Sequence, residues 1–119
     1  MNVAVIGASD NPERYSNMAV KLLKEKGHAV FPVHQRLNIV EGLAVYPSIA
    51  EVPQAIDTVS MYVAADISTA MSDKILEKKP RRIIFNPGAE NISLEALAVA
   101  RGIIVKNACT LVLLRTGQF

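Results

Sequence analysis

Five short apolar runs rich in β-branched residues constrain the fold of this chain more than any other feature: Asn2 to Ile6, Ala29 to Val33, Thr58 to Val63, Arg82 to Phe85 and Ile103 to Val105. None alternates cleanly between apolar and polar, so each is expected to be a strand covered on both faces. Between most of them the apolar spacing is helical. From Tyr15 to Lys26 the residues Tyr15, Ala19, Leu22 and Leu23 fall on one face, Lys24 and Lys26 suit the negative end of the dipole, and Gly27 is a stop. A second helix is expected from Ile67 to Lys78, burying Ile67, Met71 and Ile75, with Asp66 or Ser68 as N-cap and Pro80 just beyond its end. A third starts near Ser93, buries Leu94, Leu97 and Ala98, and stops at Gly102. Ser48 to Val52 reads as a capped short helix closed by Pro53, which leaves His34 to Tyr46 as the longest irregular piece, a length at which loops are usually functional.

Strand and helix in repetition predict an α/β fold: a single Rossmann-like, doubly wound domain with a five-stranded parallel sheet in the order 3-2-1-4-5 and helices on both faces. With 119 residues there is room for one core, taking the whole chain, 1–119, as one domain.

Composition then excludes several function classes. Half the residues are apolar and 20% are charged, the balance of a chain that folds on its own. Net charge is only +2, and the pairs Lys78-Lys79 and Arg81-Arg82 flank Pro80, as at a solvated helix end followed by a strand. With no Trp, three Tyr and three Phe, stacking platforms for bases are scarce, and no nucleic-acid partner is expected. No apolar stretch approaches the roughly 20 residues that span a bilayer, so no membrane role is expected. The lone Cys109 has no partner for an internal disulfide, and the N-terminus reads as a strand without a cationic leader, which points to the cytoplasm.

In a doubly wound sheet ligands sit beyond the C-terminal strand ends, at the switch point of strand order. After the first strand comes Gly7-Ala8-Ser9-Asp10-Asn11-Pro12, which lacks the second and third glycines of a dinucleotide fingerprint. Gly7 permits a tight turn, the following helix N-terminus offers amides to a phosphate, and Ser9 and Ser16 add hydroxyls. A plain strand-to-helix connection with Ser16 as a cap is the competing reading. The second strand ends in Val33-His34-Gln35-Arg36, with no acid before Glu41. NAD, which needs a carboxylate there for its ribose hydroxyls, is therefore disfavoured, and a phosphorylated ribose, as in NADP or coenzyme A, fits better. An exposed polar loop is the alternative. Asn86-Pro87-Gly88 and Asn107-Ala108-Cys109-Thr110 close the last two strands, as ligand contacts or as turns. In the expected order Cys109 and His34 stand three strand spacings apart, roughly 14 Å, too far for a nucleophile–base dyad. Neither metal-ligand spacings nor a Ser/His/Asp set is present.

The blocks "VAVIGASDNPERYSNMAVKLL", "HAVFPVHQR", "GLAVYPSIAEVP", "MYVAADIS", "IIFNPGAE" and "NACTLVLL" resemble, in this order, the small stand-alone CoA-binding proteins related to the N-terminal CoA-binding domain of the succinyl-CoA synthetase α subunit. The resemblance covers nearly the whole chain. It implies that Gly7, Ala8, Ser9 and Ser16 surround the CoA pyrophosphate with Tyr15 along the same loop. Pro32, His34 and Arg36 would lie near the adenosine and its 3′-phosphate, and Val63 and Ala64 beside the adenine or pantetheine. Asn86, Pro87, Gly88 and Cys109 would lie toward the thiol end. The chain departs from the family in "VHQRL", which lacks an Asn-Pro-Lys pattern and leaves Arg36 as the cation, in Ala64-Ala65 where the synthetase domain has a proline, and in the absence of a Cys-Pro pair in the final loop.

The expected function is non-catalytic binding of coenzyme A or an acyl-CoA, a small-molecule nucleotide ligand. An NADP-binding module and a redox or CoA-thiol protein using Cys109 remain as alternatives, and a homodimer or protein partner stays open.

Overall fold

A computed structural model describes residues 1–119. In chain order the elements are β1 (Asn2–Ile6), α1 (Tyr15–Glu25), β2 (Ala29–Val33), β3 (Ile39–Val40), β4 (Leu43–Ala44), a 3₁₀ turn at Ile49–Glu51, β5 (Thr58–Met61), α2 (Ala65–Ala70), α3 (Ser72–Glu77), β6 (Arg82–Phe85), α4 (Ile92–Ala100), β7 (Ile104–Asn107) and α5 (Thr110–Arg115). Five strands form a wholly parallel sheet in the order β2-β1-β5-β6-β7, and β3 and β4 form a separate antiparallel hairpin. The absence of alternation in the strands follows directly. Along β1, Val3 and Val5 enter a core shared with Val20, Leu23 and Leu114, whereas Ala4 and Ile6 enter a larger one shared with Ile75, Leu76, Leu94 and Ala98. One face of the sheet is thus covered by α1 and α5, the other by α2, α3 and α4.

The α/β parallel fold agrees with the sequence, but the strand order does not. Numbered by the five sheet strands alone, the observed order is 2-1-3-4-5, not 3-2-1-4-5. The reason lies in Pro32. A proline within a strand has no N–H for a ladder and is confined to sheet edges, yet the order 3-2-1-4-5 would have placed this strand between two others. Pro32 directs its carbonyl outward, where it accepts a bond from the Tyr46 amide at 3.0 Å, so the missing N–H falls on the open side. Tyr46 bridges Val33, and the chain then crosses β1 to place β5 on its far side.

Several helix expectations are also corrected. The stretch 67–78 is two helices: at Met71 (φ −106°, ψ 8°) the turn tightens, and the Ser72 hydroxyl donates to the Ser68 carbonyl at 3.1 Å, a back-bond that bends helices. Its N-cap is Ala64, not Asp66 or Ser68, and Ile67 is exposed because this face borders a groove, not the core. Tyr15 and Leu97 are likewise exposed rather than buried, and α1 begins after Arg14 without a side-chain cap. Asn91 caps α4, its Oδ1 accepting from the Leu94 amide at 3.0 Å while its Nδ2 donates to the Ser68 and Thr69 hydroxyls of α2. Within 34–46 the β3–β4 hairpin turns at Glu41-Gly42, both at positive φ (49° and 76°), the backbone of a tight two-residue turn. No helix is long and apolar enough to cross a membrane.

Candidate functional site

The switch point lies between β1 and β5, the two strands from which connections leave in opposite directions. Gly7 ends β1 there at φ +87°. A Cβ at this position would sit 2.8 Å from Val63 Cγ1 and 3.2 Å from the Tyr62 carbonyl carbon and oxygen, so the two strand-end loops meet closely only because residue 7 has no side chain. The Gly7 and Ala8 amides both donate to the Val33 carbonyl, at 3.1 and 3.2 Å, which locks the β1 loop to β2 and removes these two amides from any ligand.

Beyond Gly7 the loop is held by its own polar groups. Ser9 Oγ accepts from the Asn11 amide at 3.0 Å, Asn11 Oδ1 from the Glu13 amide at 3.0 Å, and the Ser9 carbonyl from Asn17 Nδ2 at 2.9 Å. Because Ser9 Oγ serves as an acceptor here, its own proton remains available as a donor. The first turn of α1 has no side-chain cap and holds no acidic residue, so its amides offer positive character to the groove, which Asp10 and Glu13 of the preceding loop also line.

Two adjoining grooves open above this point. One, of about 740 Å³, is lined by Gly7, Ala8, Ser9, Tyr15, Ser16, Val63, Ala64, Asn86, Pro87 and Cys109 among others. The second, of about 690 Å³, lies between the loop after β2 and the α2–α3 face, with Arg36 on one wall and Met71 and Lys74 on the other. Gly7, His34, Val63 and Ile67 border both, so the grooves form one bent trough over the switch point. Of the residues singled out from the sequence, Pro32 and Gly88 do not line it. Pro32 is buried in β2, and Gly88 (φ +90°) forms an exposed turn in which its amide donates to Glu90 Oε1 at 2.8 Å.

His34 holds its own loop. Its Nδ1 accepts from the amides of Arg36 at 3.0 Å and Leu37 at 3.2 Å, so in the neutral ring the proton sits on Nε2, leaving one donor for the trough. Asn86 lines the trough but spends its side chain elsewhere. Nδ2 donates to Ser60 Oγ at 3.0 Å and the Met61 carbonyl at 2.9 Å, and Oδ1 accepts from the Thr110 amide at 2.8 Å. It therefore ties β5, β6 and α5 together. Cys109 precedes α5, whose first residue Thr110 meets Ser60 Oγ of the central strand β5 at 2.8 Å, so the loop after β7 returns over the middle of the sheet and brings Cys109 to the same groove as His34, where strand spacing alone had implied a wide separation.

Sequence reasoning missed Tyr62, Pro47, Ser48, Ile49, Ile67, Met71 and Lys74 as lining residues. The spacing of Ile67, Ala70, Met71 and Lys74 was legible as a helical stripe, but a stripe does not say whether it faces a core or a groove. Tyr62 has a buried hydroxyl without a hydrogen-bond partner, and burial pushes its phenol up to about 12, so it stays protonated.

Comparison with known proteins identifies the family of the chain. Residues 1–115 match the model of the CoA binding domain family. The chain is 28% identical over 75 residues to the uncharacterized protein YneT of Bacillus subtilis, a match covering 63% of this chain and 56% of that one. It is 41% identical over 56 residues to the α subunit of the ADP-forming acetate–CoA ligase II of Pyrococcus furiosus, covering 46% of this chain and 12% of the subunit, so the chain spans well under two thirds of either relative. A crystal structure of an uncharacterized protein superposes with a TM-score of 0.93 at 35% identity, covering 99% of this chain and 97% of the other. With nearly its whole length matched by one family, this chain belongs to the CoA binding domain family.

Proposed function

We propose that the chain binds coenzyme A or an acyl-CoA in the trough over the switch point and catalyses no reaction of its own. The observation that carries this reading is the end of β2. His34 and Arg36 border the trough there, and the first carboxylate downstream, Glu41, is turned to α1, where it meets Asn17 Nδ2 at 3.1 Å and Lys21 Nζ at 3.9 Å. A strand end without an acid does not suit a free ribose diol, whereas a cation suits a ribose phosphate. The uncapped first turn of α1 and the Ser9 hydroxyl suit a pyrophosphate. Cys109 makes no hydrogen bond to His34, whose Nδ1 is taken by the Arg36 and Leu37 amides, and a thiol without a base in contact supports binding without turnover.

Calorimetric titration with CoA and with NADPH tests the reading. CoA is expected to bind and NADPH to bind far more weakly. Saturable heat with NADPH alone would replace the proposed ligand. Incubation with acetyl-CoA is expected to release free thiol no faster than buffer does, and protein-dependent release would overturn the non-catalytic part.

A further inference from the structure

We infer that Lys74 on α3 is the second cation of a phosphate subsite whose first is Arg36, so that a ribose phosphate is held between the loop after β2 and the helix after β5. This rests on the CoA reading. The α2–α3 face presents Ile67, Ala70, Met71 and Lys74 to the groove at helical spacing, three apolar residues followed by an ammonium. Pro47 and Ile49 line the same groove, so its walls are apolar and suited to a purine, with charge at the margin.

Neither Lys74 nor Arg36 is spent on a carboxylate. The ion pairs of the chain are Lys21–Glu41 and Arg81–Asp57. Asp66, the one acid in this groove's lining, stands on α2, on the other side of the break at Met71, and forms no ion pair with Lys74. Two unpaired cations bordering one cavity repel each other, and an anion between them converts that repulsion into attraction from both sides. The loop after β2 supplies one cation, Arg36, and no lysine; the opposite wall supplies the other.

Titrating CoA and dephospho-CoA into the wild type, Lys74→Ala, Lys74→Arg and the Arg36→Ala/Lys74→Ala double variant tests this, with far-UV circular dichroism confirming that each remains folded. The wild type is expected to prefer CoA. Lys74→Ala should weaken CoA about tenfold while leaving dephospho-CoA unchanged. Lys74→Arg should restore most of the loss, and the double variant should bind both ligands alike. Unchanged CoA affinity in Lys74→Ala, or an equal loss for both ligands, would overturn the assignment. Equal binding of the two ligands by the wild type would overturn it while leaving the CoA reading intact, and binding of neither would end both.

Discussion

The two ends of the sheet are both rich in polar and charged side chains, and they use them differently. At the N-terminal end of the strands, Arg81 forms a two-point pair with Asp57 at 3.0 and 3.2 Å, and the buried Arg82 donates to the Thr58 hydroxyl at 3.1 Å while lying 4.4 Å from the centre of the Phe119 ring. His28 meets the same ring edge-on. Every one of these groups has a partner within the chain. At the C-terminal end, the α1 amides lack a cap, the Ser9 proton and His34 Nε2 are uncommitted, and Arg36 and Lys74 border an open groove without a carboxylate partner. Polarity alone does not distinguish a structural end from a binding end, whereas the presence or absence of internal partners does.

Substitutions break this comparison in order of expected size. Gly7→Ala should be the most severe, because a Cβ must enter at positive φ against Val63 and the Tyr62 backbone. A loss of about 3 kcal/mol in urea unfolding is expected, together with loss of ligand binding. Asn86→Ala removes three bonds inside the floor and leaves the Thr110 amide unsatisfied, which should cost about 2 kcal/mol in the same assay even without ligand.

His34 separates the two uses of polarity within one residue. Asn places an acceptor where Nδ1 stands, so His34→Asn should keep the loop and lose the Nε2 donor, whereas His34→Gln should do the reverse. If the loop bonds matter most, His34→Asn retains the larger share of CoA affinity in calorimetry. If the ligand contact dominates, His34→Gln does.

The smallest expected effect is at the closed end. Burial, then the Met1 amino group and Arg82, hold the His28 pKa below its ordinary 6.5. The folded state then binds fewer protons than the unfolded one, so His28 contributes stability that is fully present above pH 6.5 and lost as pH falls through its lowered folded value. Asp57, held below its ordinary 3.8 by the Arg81 bond, adds stability that disappears at lower pH still. Urea unfolding between pH 7.5 and 5 should show the first slope, and His28→Gln should flatten it without changing ligand affinity at pH 7.5.

Much of the fold was legible from residues whose meaning is local. Gly27 and Gly102 end helices, Ser48 caps the 3₁₀ turn through its bond to the Ala50 amide, and β1 coincides with its apolar run. Pro32 also carried the strand order, since a proline implies an edge, but that meaning is visible only when strand position is asked of it. The split at Met71, the exposure of Ile67 and the short α5 were not legible. A stripe at helical spacing reads the same whether a core or a groove lies opposite. In the trough, Gly7, Ser9, Ser16, His34, Arg36 and Cys109 could be named from their places after strands, whereas Lys74 and Tyr62 come from walls that meet those loops only after folding.

By itself, then, the sequence determined an α/β domain with a parallel sheet, because two-sided burial writes unbroken apolar runs and glycines write turns, and both act within a few residues. Only the tertiary structure decided which strands are neighbours, that the Gly7 and Ala8 amides are consumed by Val33 while other donors stay open, and that Arg36 and Lys74 face one cavity. Those are relations between segments distant in the chain. They depend on crossovers and packing that no local pattern of residues records.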